Sequence, residues 1–133
     1  MSKYYSDDRG ILIPLEFSKL PFEPKRIFVA DVNAKNTERG GHAHHTTEQF
    51  AICIEGKIDM VLYANHNKPA ETIIMKKGDA IYIPKMVWDK QIYKTEDSKL
   101  LVLCSTEYNR DDYITSMSEF NNLLETKKQI EKD

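Results

Sequence analysis

A chain of 133 residues, 41% apolar and 30% charged, fits one soluble globular domain over residues 1–133 with a core of its own. Its 19 basic and 21 acidic residues leave a formal charge of −2, and apart from Lys25-Arg26, Lys76-Lys77 and Lys127-Lys128 the cations are scattered. That pattern argues against nucleic acid or an anionic membrane as partner. No apolar run approaches the roughly 18 to 20 residues of a membrane span, and the opening MSKYYSDDRG lacks the apolar core of a signal peptide. Cys53 and Cys104 lie in apolar runs, as buried free thiols do, so a cytoplasmic location is expected.

In chain order, ILIPLEF (11–17) predicts a first strand, with Pro14 confining it to an edge or a bulge. KRIFVADV (25–32) follows and ends in a loop, NAKNTERGG (33–41). QFAICIEG (49–56) and KIDMVLYA (57–64) predict a hairpin turning at Glu55-Gly56. ETIIMKKGDAIYIP (71–84) gives two short strands across Lys77-Gly78-Asp79, and WDKQIY (88–93) and KLLVLCS (99–105) give two more. Strands at this spacing without intervening helices imply a small antiparallel sandwich or barrel. Only the tail changes period: Met117, Phe120, Leu123 and Leu124 predict a helix over about 117–128, with Ser118 as its cap and fraying polar turns beyond Leu124. The expected fold is all-β, a jelly-roll-like barrel with its core at about 7–115 and a short C-terminal helix.

RGGHAHHTTEQ (39–49) holds three of the four histidines. Continued in extended form into QFAIC, it sets His42, His44 and Glu48 on one wall and turns His45 away. His42, His44, Glu48 and Gly56 resemble the first motif of the cupin superfamily, and Gly78 and Pro84 in GDAIYIP resemble the second. Metal-binding cupins carry a further histidine where this chain has Asp89, and a glycine where it has Met86. The resemblance leaves open a metal site made of His42, His44, Glu48 and Asp89.

DDRGILIPLE, KRIFVADV, ERGGHAHHTTEQ, GDAIYIPKMVWDKQ and STEYNRDDYI, in that order over about residues 7–120, are similar to the nucleotide-sugar 3,4-ketoisomerases. The resemblance implies a cupin that acts on dTDP-4-keto-6-deoxyglucose without metal or other cofactor, for synthesis of 3-amino-3,6-dideoxy sugars of surface glycans. It implies His44 as the base at carbon and His42 as the partner that orients substrate or shuttles the oxygen proton, roles that could be exchanged. A neutral imidazole, with an ordinary pKa of about 6.5, suits either task. Arg39 then binds the diphosphate, with Arg26 a second phosphate candidate. Gln49 would hold a sugar hydroxyl, Tyr82 and Trp88 would line the pocket, and Asp89 would be a pocket acid. Relatives carry a tyrosine in the stretch where this chain has Phe28 and Val29, so that hydroxyl must come from elsewhere. Tyr113 is expected to pack the helix onto the barrel, and His45 and His66 to have no role. A homodimer pairing through the N-terminal strand is expected as well. Other readings are a nucleotide-sugar 3,5-epimerase, a metal-dependent cupin and a sugar-binding cupin without catalysis.

Overall fold

The computed structural model describes residues 4–132. Its strands are β1 (Tyr5–Asp7), β2 (Gly10–Leu12), β3 (Arg26–Asp31), β4 (Thr37–His44), β5 (Gln49–Glu55), β6 (Lys57–Tyr63), β7 (Glu71–Lys76), β8 (Ala80–Ile83), β9 (Trp88–Tyr93), β10 (Lys99–Cys104) and β11 (Tyr113–Ile114), followed by the helix α1 (Met117–Lys132). A four-stranded sheet in the order β3-β10-β5-β8 packs against a five-stranded sheet in the order β11-β4-β9-β6-β7, and β1 and β2 form a separate hairpin. The all-β expectation with a C-terminal helix holds. No helix among the described residues is long and apolar enough to cross a membrane.

Strand periodicity divides the apolar residues into three groups. Ala51, Cys53, Ile58, Met60, Met75, Ile83, Tyr93, Leu100, Val102 and Cys104 fill the space between the sheets. Strands β5 and β10 are buried on both faces, which is why they read as unbroken apolar runs rather than alternating ones. Their outward residues Phe50, Ile52 and Leu103 lie under Ile13, Leu15, Leu20 and Phe22 of the N-terminal segment. On the outside of the other sheet, Phe120, Leu123 and Leu124 of α1 cover Ala43, Ile114 and Trp88. Both cysteines are free and buried.

The strand expected over residues 11–17 is replaced by a β1–β2 hairpin that stops at Leu12. Pro14 has no N–H for a ladder, so the chain beyond Leu12 serves as an apolar cover and ends in a 3₁₀ turn, Phe17–Lys19. The loop expected over 33–41 is largely strand, because polar Thr37 to Gly40 pair with β9. Helix α1 runs to Lys132 instead of fraying after Leu124, and its cap is Ser116 rather than Ser118: the Ser116 Oγ accepts from the Glu119 N–H at 3.3 Å.

Met86 stands where the cupin motif carries glycine, and its φ of 59° lies in the left-handed region. Its N–H donates to the His44 carbonyl at 2.8 Å, tying the β8–β9 loop to the histidine strand. The side chain packs with the cluster under α1, which offsets the strain. Truncation should therefore invert the usual ranking. Met86→Ala is expected to be about 1 kcal/mol less stable than Met86→Gly, since alanine keeps the left-handed penalty and glycine does not. Urea unfolding of the pair tests this; equal midpoints would show no strain at position 86.

Candidate active site

The site begins with a break in the register of β4 and β9. Arg39 pairs with Gln91 and Gly40 with Lys90, and then one residue is skipped so that His42 faces Asp89. Gly40 and Gly41 form this bulge with φ of 80° and 79°, where glycine is favoured. Directly opposed side chains share a face of the sheet, so Arg39 and His42 both turn inward although three positions separate them. Gly40 is needed for space too: a Cβ there would stand 2.9 Å from the Asp89 Oδ1.

Two residues on from His42, His44 also points inward, with the ring centroids 5.0 Å apart and the planes at 74°. Strand β11 pairs Tyr113 with His44. The Tyr113 ring lies 4.5 Å from the His44 ring and 5.1 Å from the His42 ring. Arg26 on β3 completes the cluster: its Nη1 donates to the Tyr113 hydroxyl at 3.4 Å, and its guanidinium lies 4.9 Å from the Phe28 ring and 5.1 Å from that of Tyr108. Behind His42, the Asp89 Oδ2 lies 3.8 Å from Nε2. Asp89 Oδ1 accepts from the Gln91 amide at 3.0 Å, and Gln91 in turn accepts from the Tyr93 hydroxyl at 2.8 Å. The buried His44 Nε2 and Asp89 Oδ2 have no hydrogen-bond partner among the described residues.

These surroundings shift the two buried ionisable groups, His44 and Asp89, in opposite directions. Burial first, then the neighbouring His42 and Arg26 with Asp112 opposing them, lowers His44 to about 4. At neutral pH His44 is uncharged. Burial pushes the Asp89 carboxyl above the usual carboxylate range, against the pull of His42 and the Gln91 hydrogen bond. The corner that ends β4 is fixed by Asp112. Its Oδ1 accepts from the Thr46 N–H at 2.8 Å and hydroxyl at 2.7 Å, and its Oδ2 from the Thr47 N–H at 3.1 Å and hydroxyl at 2.5 Å.

Of the residues singled out in the sequence, His42, His44, Asp89 and Arg26 come together. Arg39 is on the same wall but exposed, its Nε donating to the Asp31 carbonyl at 2.8 Å. Gln49 points into the barrel, buried, with its amide directed at the Cys104 Sγ at 3.6 Å. Glu48 is not on the histidine wall. β4 and β5 belong to different sheets and the corner at residues 45–47 resets the alternation, so Glu48 instead accepts from the Tyr82 hydroxyl. Tyr82 does not face the barrel interior either: Ile81 and Ile83 take the inward positions of β8, and Tyr82 faces out toward Phe22. Trp88 likewise faces out, 5.7 Å from Phe120 of α1. The four donors considered for a metal therefore do not assemble, and no three His, Cys, Asp or Glu side chains converge among the described residues.

Tyr113 was expected to pack the helix, but Ile114 does that and Tyr113 faces the histidines. Alternation along the dipeptide could have revealed this, since one residue of the pair had to face away from α1. His45 is exposed, and His66 bonds to Tyr63 and Asn121 on the surface.

Two packed antiparallel sheets with paired histidines on the inner wall define a cupin. Within the cupins the chain belongs to the family described as "FdtA: WxcM-like, C-terminal", whose model matches residues 1–125. It is 29% identical over 128 residues to the TDP-4-oxo-6-deoxy-alpha-D-glucose-3,4-oxoisomerase of Aneurinibacillus thermoaerophilus, covering 96% of this chain and 91% of that protein. A 3,4-ketoisomerase from Helicobacter canadensis superposes with a TM-score of 0.82 at 34% identity, over 93% of each chain. A histidine-to-asparagine variant of the 3,4-ketoisomerase QdtA from Thermoanaerobacterium thermosaccharolyticum, in complex with TDP-4-keto-6-deoxyglucose, superposes with a TM-score of 0.85 at 28% identity, over 94% of this chain and 91% of that one.

Proposed function

We propose that this protein is a nucleotide-sugar 3,4-ketoisomerase that converts dTDP-4-keto-6-deoxyglucose into a dTDP-3-keto-6-deoxyhexose. The observation that carries the reading is the inward histidine pair, one member of which is held neutral, closed in by Tyr113 and Arg26. Moving a ketone from C4 to C3 needs an acceptor for the C3 proton and a donor for O4. The resulting enediol then loses its O3 proton and gains a proton at C4. His44, uncharged at neutral pH, takes the carbon-bound proton and returns it to C4. His42 exchanges the oxygen proton. Tyr113, whose ring packs against both histidines, brings a hydroxyl to the cluster and takes the place of the one that Phe28 lacks.

Arg26 stands at the first residue of β3 and Arg39 is held at the last, a separation of roughly 16 Å at the rise of a strand. That spacing suits Arg39 to the diphosphate and Arg26, inside the ring cluster, to a sugar oxygen. Gln49 and Asp89 support the inner wall. The product fits a following aminotransferase that makes a 3-amino-3,6-dideoxy sugar for surface glycans, in the cytoplasm. Ile27 and Val29 on edge strand β3 are 58% and 55% exposed, which supports pairing of two copies as a homodimer.

Proton NMR of the protein with dTDP-4-keto-6-deoxyglucose in D₂O and EDTA tests the reading. A 3-keto sugar is expected, with deuterium at C4 to the extent that the imidazole exchanges before reprotonation; the C4 coupling identifies the epimer. Unchanged substrate would overturn the assignment, and activity only without EDTA would restore the metal-dependent reading. A 3,5-epimerase would place deuterium at C3 and C5 and leave the ketone at C4. The acid side of the kcat/KM profile is a second check. Because His44 is lowered to about 4, activity should persist from pH 6.5 down to about pH 5, where an ordinary imidazole base would already be protonated.

A further inference from the structure

Strand β9 buries Asp89 completely between the sheets, a place where a carboxyl group persists only with partners. Its two oxygens are treated differently. Oδ1 is held by the Gln91 amide, itself anchored by Tyr93. Oδ2 is buried with no hydrogen bond among the described residues and points at the His42 Nε2, 3.8 Å away. Strand register sets the two residues opposite one another, and glycine at position 40 clears the room for the carboxylate.

We infer that Asp89 is a positioning residue for the isomerisation: through Oδ2 it keeps one proton on His42, making His42 the donor to the substrate oxygen and leaving His44 to accept the carbon-bound proton. The inference rests on the ketoisomerase reading of the site. Its physical ground is the cost of isolated charge in a low-dielectric interior. With one proton between them, Asp89 and His42 are jointly neutral; with none, a bare carboxylate remains buried.

The other groups facing His42 oppose a second proton nearby. His44 and the Tyr113 ring pack against it from β4 and β11, and Arg26 on β3 adds a positive charge that acts on His44 and bonds to Tyr113. Asp112 acts on His44, while Gln91 and Tyr93 on β9 reach His42 only through Asp89, and Arg39 acts on Tyr93. Burial holds His44 neutral while the Asp89–His42 pair keeps its shared proton, which makes the first the acceptor and the second the donor. In the first step His44 takes the C3 proton as His42 gives its own to O4. In the second the O3 proton returns to the Asp89–His42 pair and His44 delivers its proton to C4, so each group ends as it began.

Two measurements test this. In the free wild-type protein, side-chain ¹⁵N and ¹³C NMR should show His42 protonated and His44 neutral at pH 7, with the His42 ring and the Asp89 carboxyl shifting together as pH rises. A neutral His42 at pH 7 would overturn the inference without any variant. In Asp89→Asn, the alkaline limb of the kcat profile should move at least one pH unit lower, with the acid limb in place. At pH 7.5 kcat should fall about 100-fold while KM changes less than about threefold. An unmoved alkaline limb would leave Asp89 a structural residue only. A wild-type protein that titrates as expected yet leaves the keto sugar unchanged would overturn the isomerase reading and not the shared proton.

Discussion

Replacing His44 by asparagine is expected to lower kcat by about 1,000-fold while TDP binding changes little. A positioned proton acceptor contributes roughly 10²- to 10⁴-fold, and His44 is uncharged at neutral pH, is buried on the inner wall and has an unpartnered Nε2. Asparagine fills much of the same space and cannot take a proton. A variant retaining a tenth or more of the wild-type kcat would remove His44 from the chemistry. The substitution also reports on folding. His44 is lowered to about 4 in the folded protein from 6.5, so as pH falls through that window the unfolded chain takes up a proton that the native state refuses. Wild-type stability is complete above pH 6.5 and declines toward pH 4, by on the order of 2 to 3 kcal/mol. His44→Asn lacks this loss, so the gap between the two proteins should shift in the variant's favour between pH 7 and pH 5. Urea unfolding at the two pH values measures it.

Asp112→Ala is expected to cost about 3 kcal/mol at neutral pH and to reduce activity with it. Burial disfavours the ionised Asp112 carboxylate, but the hydrogen bonds from Thr47 and Thr46 outweigh that and hold it below its ordinary 3.8. Hydrogen bonds to a charged acceptor contribute roughly 1.5 to 3 kcal/mol each. Exposed Thr46 regains water when they are lost, which keeps the total near the lower end. Because the folded carboxyl lies below its unfolded value, the contribution is complete above about pH 5 and fades as pH falls through and below 3.8. The same carboxylate joins the corner after His44 to the segment leading into β11. Its loss loosens both strands that carry the ring cluster. A variant within 1 kcal/mol of wild type would contradict this account of the corner.

Much of the barrel is legible because its inner strands obey a simple period. The misplacements have physical causes. Residues Thr37 to Gly40 carry no apolar alternation because they pair with a strand whose inner face is the polar line of Asp89, Gln91 and Tyr93, so a strand there looks like a loop. Tyr82 and Trp88 read as pocket walls because aromatic residues usually point inward. Here both outer faces are covered, one by the N-terminal segment and one by α1, and the aromatics serve those covers. Glu48 was assigned to the histidine wall by counting through a corner that belongs to neither sheet. The histidine pair itself was readable from spacing. The environment that sets the two rings apart was not, since Asp89, Arg26 and Tyr113 arrive from three other strands.

The double glycine of β4 acts on the chain as a shift in reading frame acts on codons. Upstream of it one parity of residue faces the barrel interior, and downstream the other, so that Arg39, His42 and His44 all point inward. A substitution at either glycine strains the join but leaves the count intact. Straightening the bulge at constant length would restore strict alternation and turn Arg39 away from both histidines, whereas deleting one glycine would leave all three on the same side. Backbone conformation at this point is therefore constrained more tightly than length: the arginine shares the wall with the histidines only while the glycine pair holds one residue out of register.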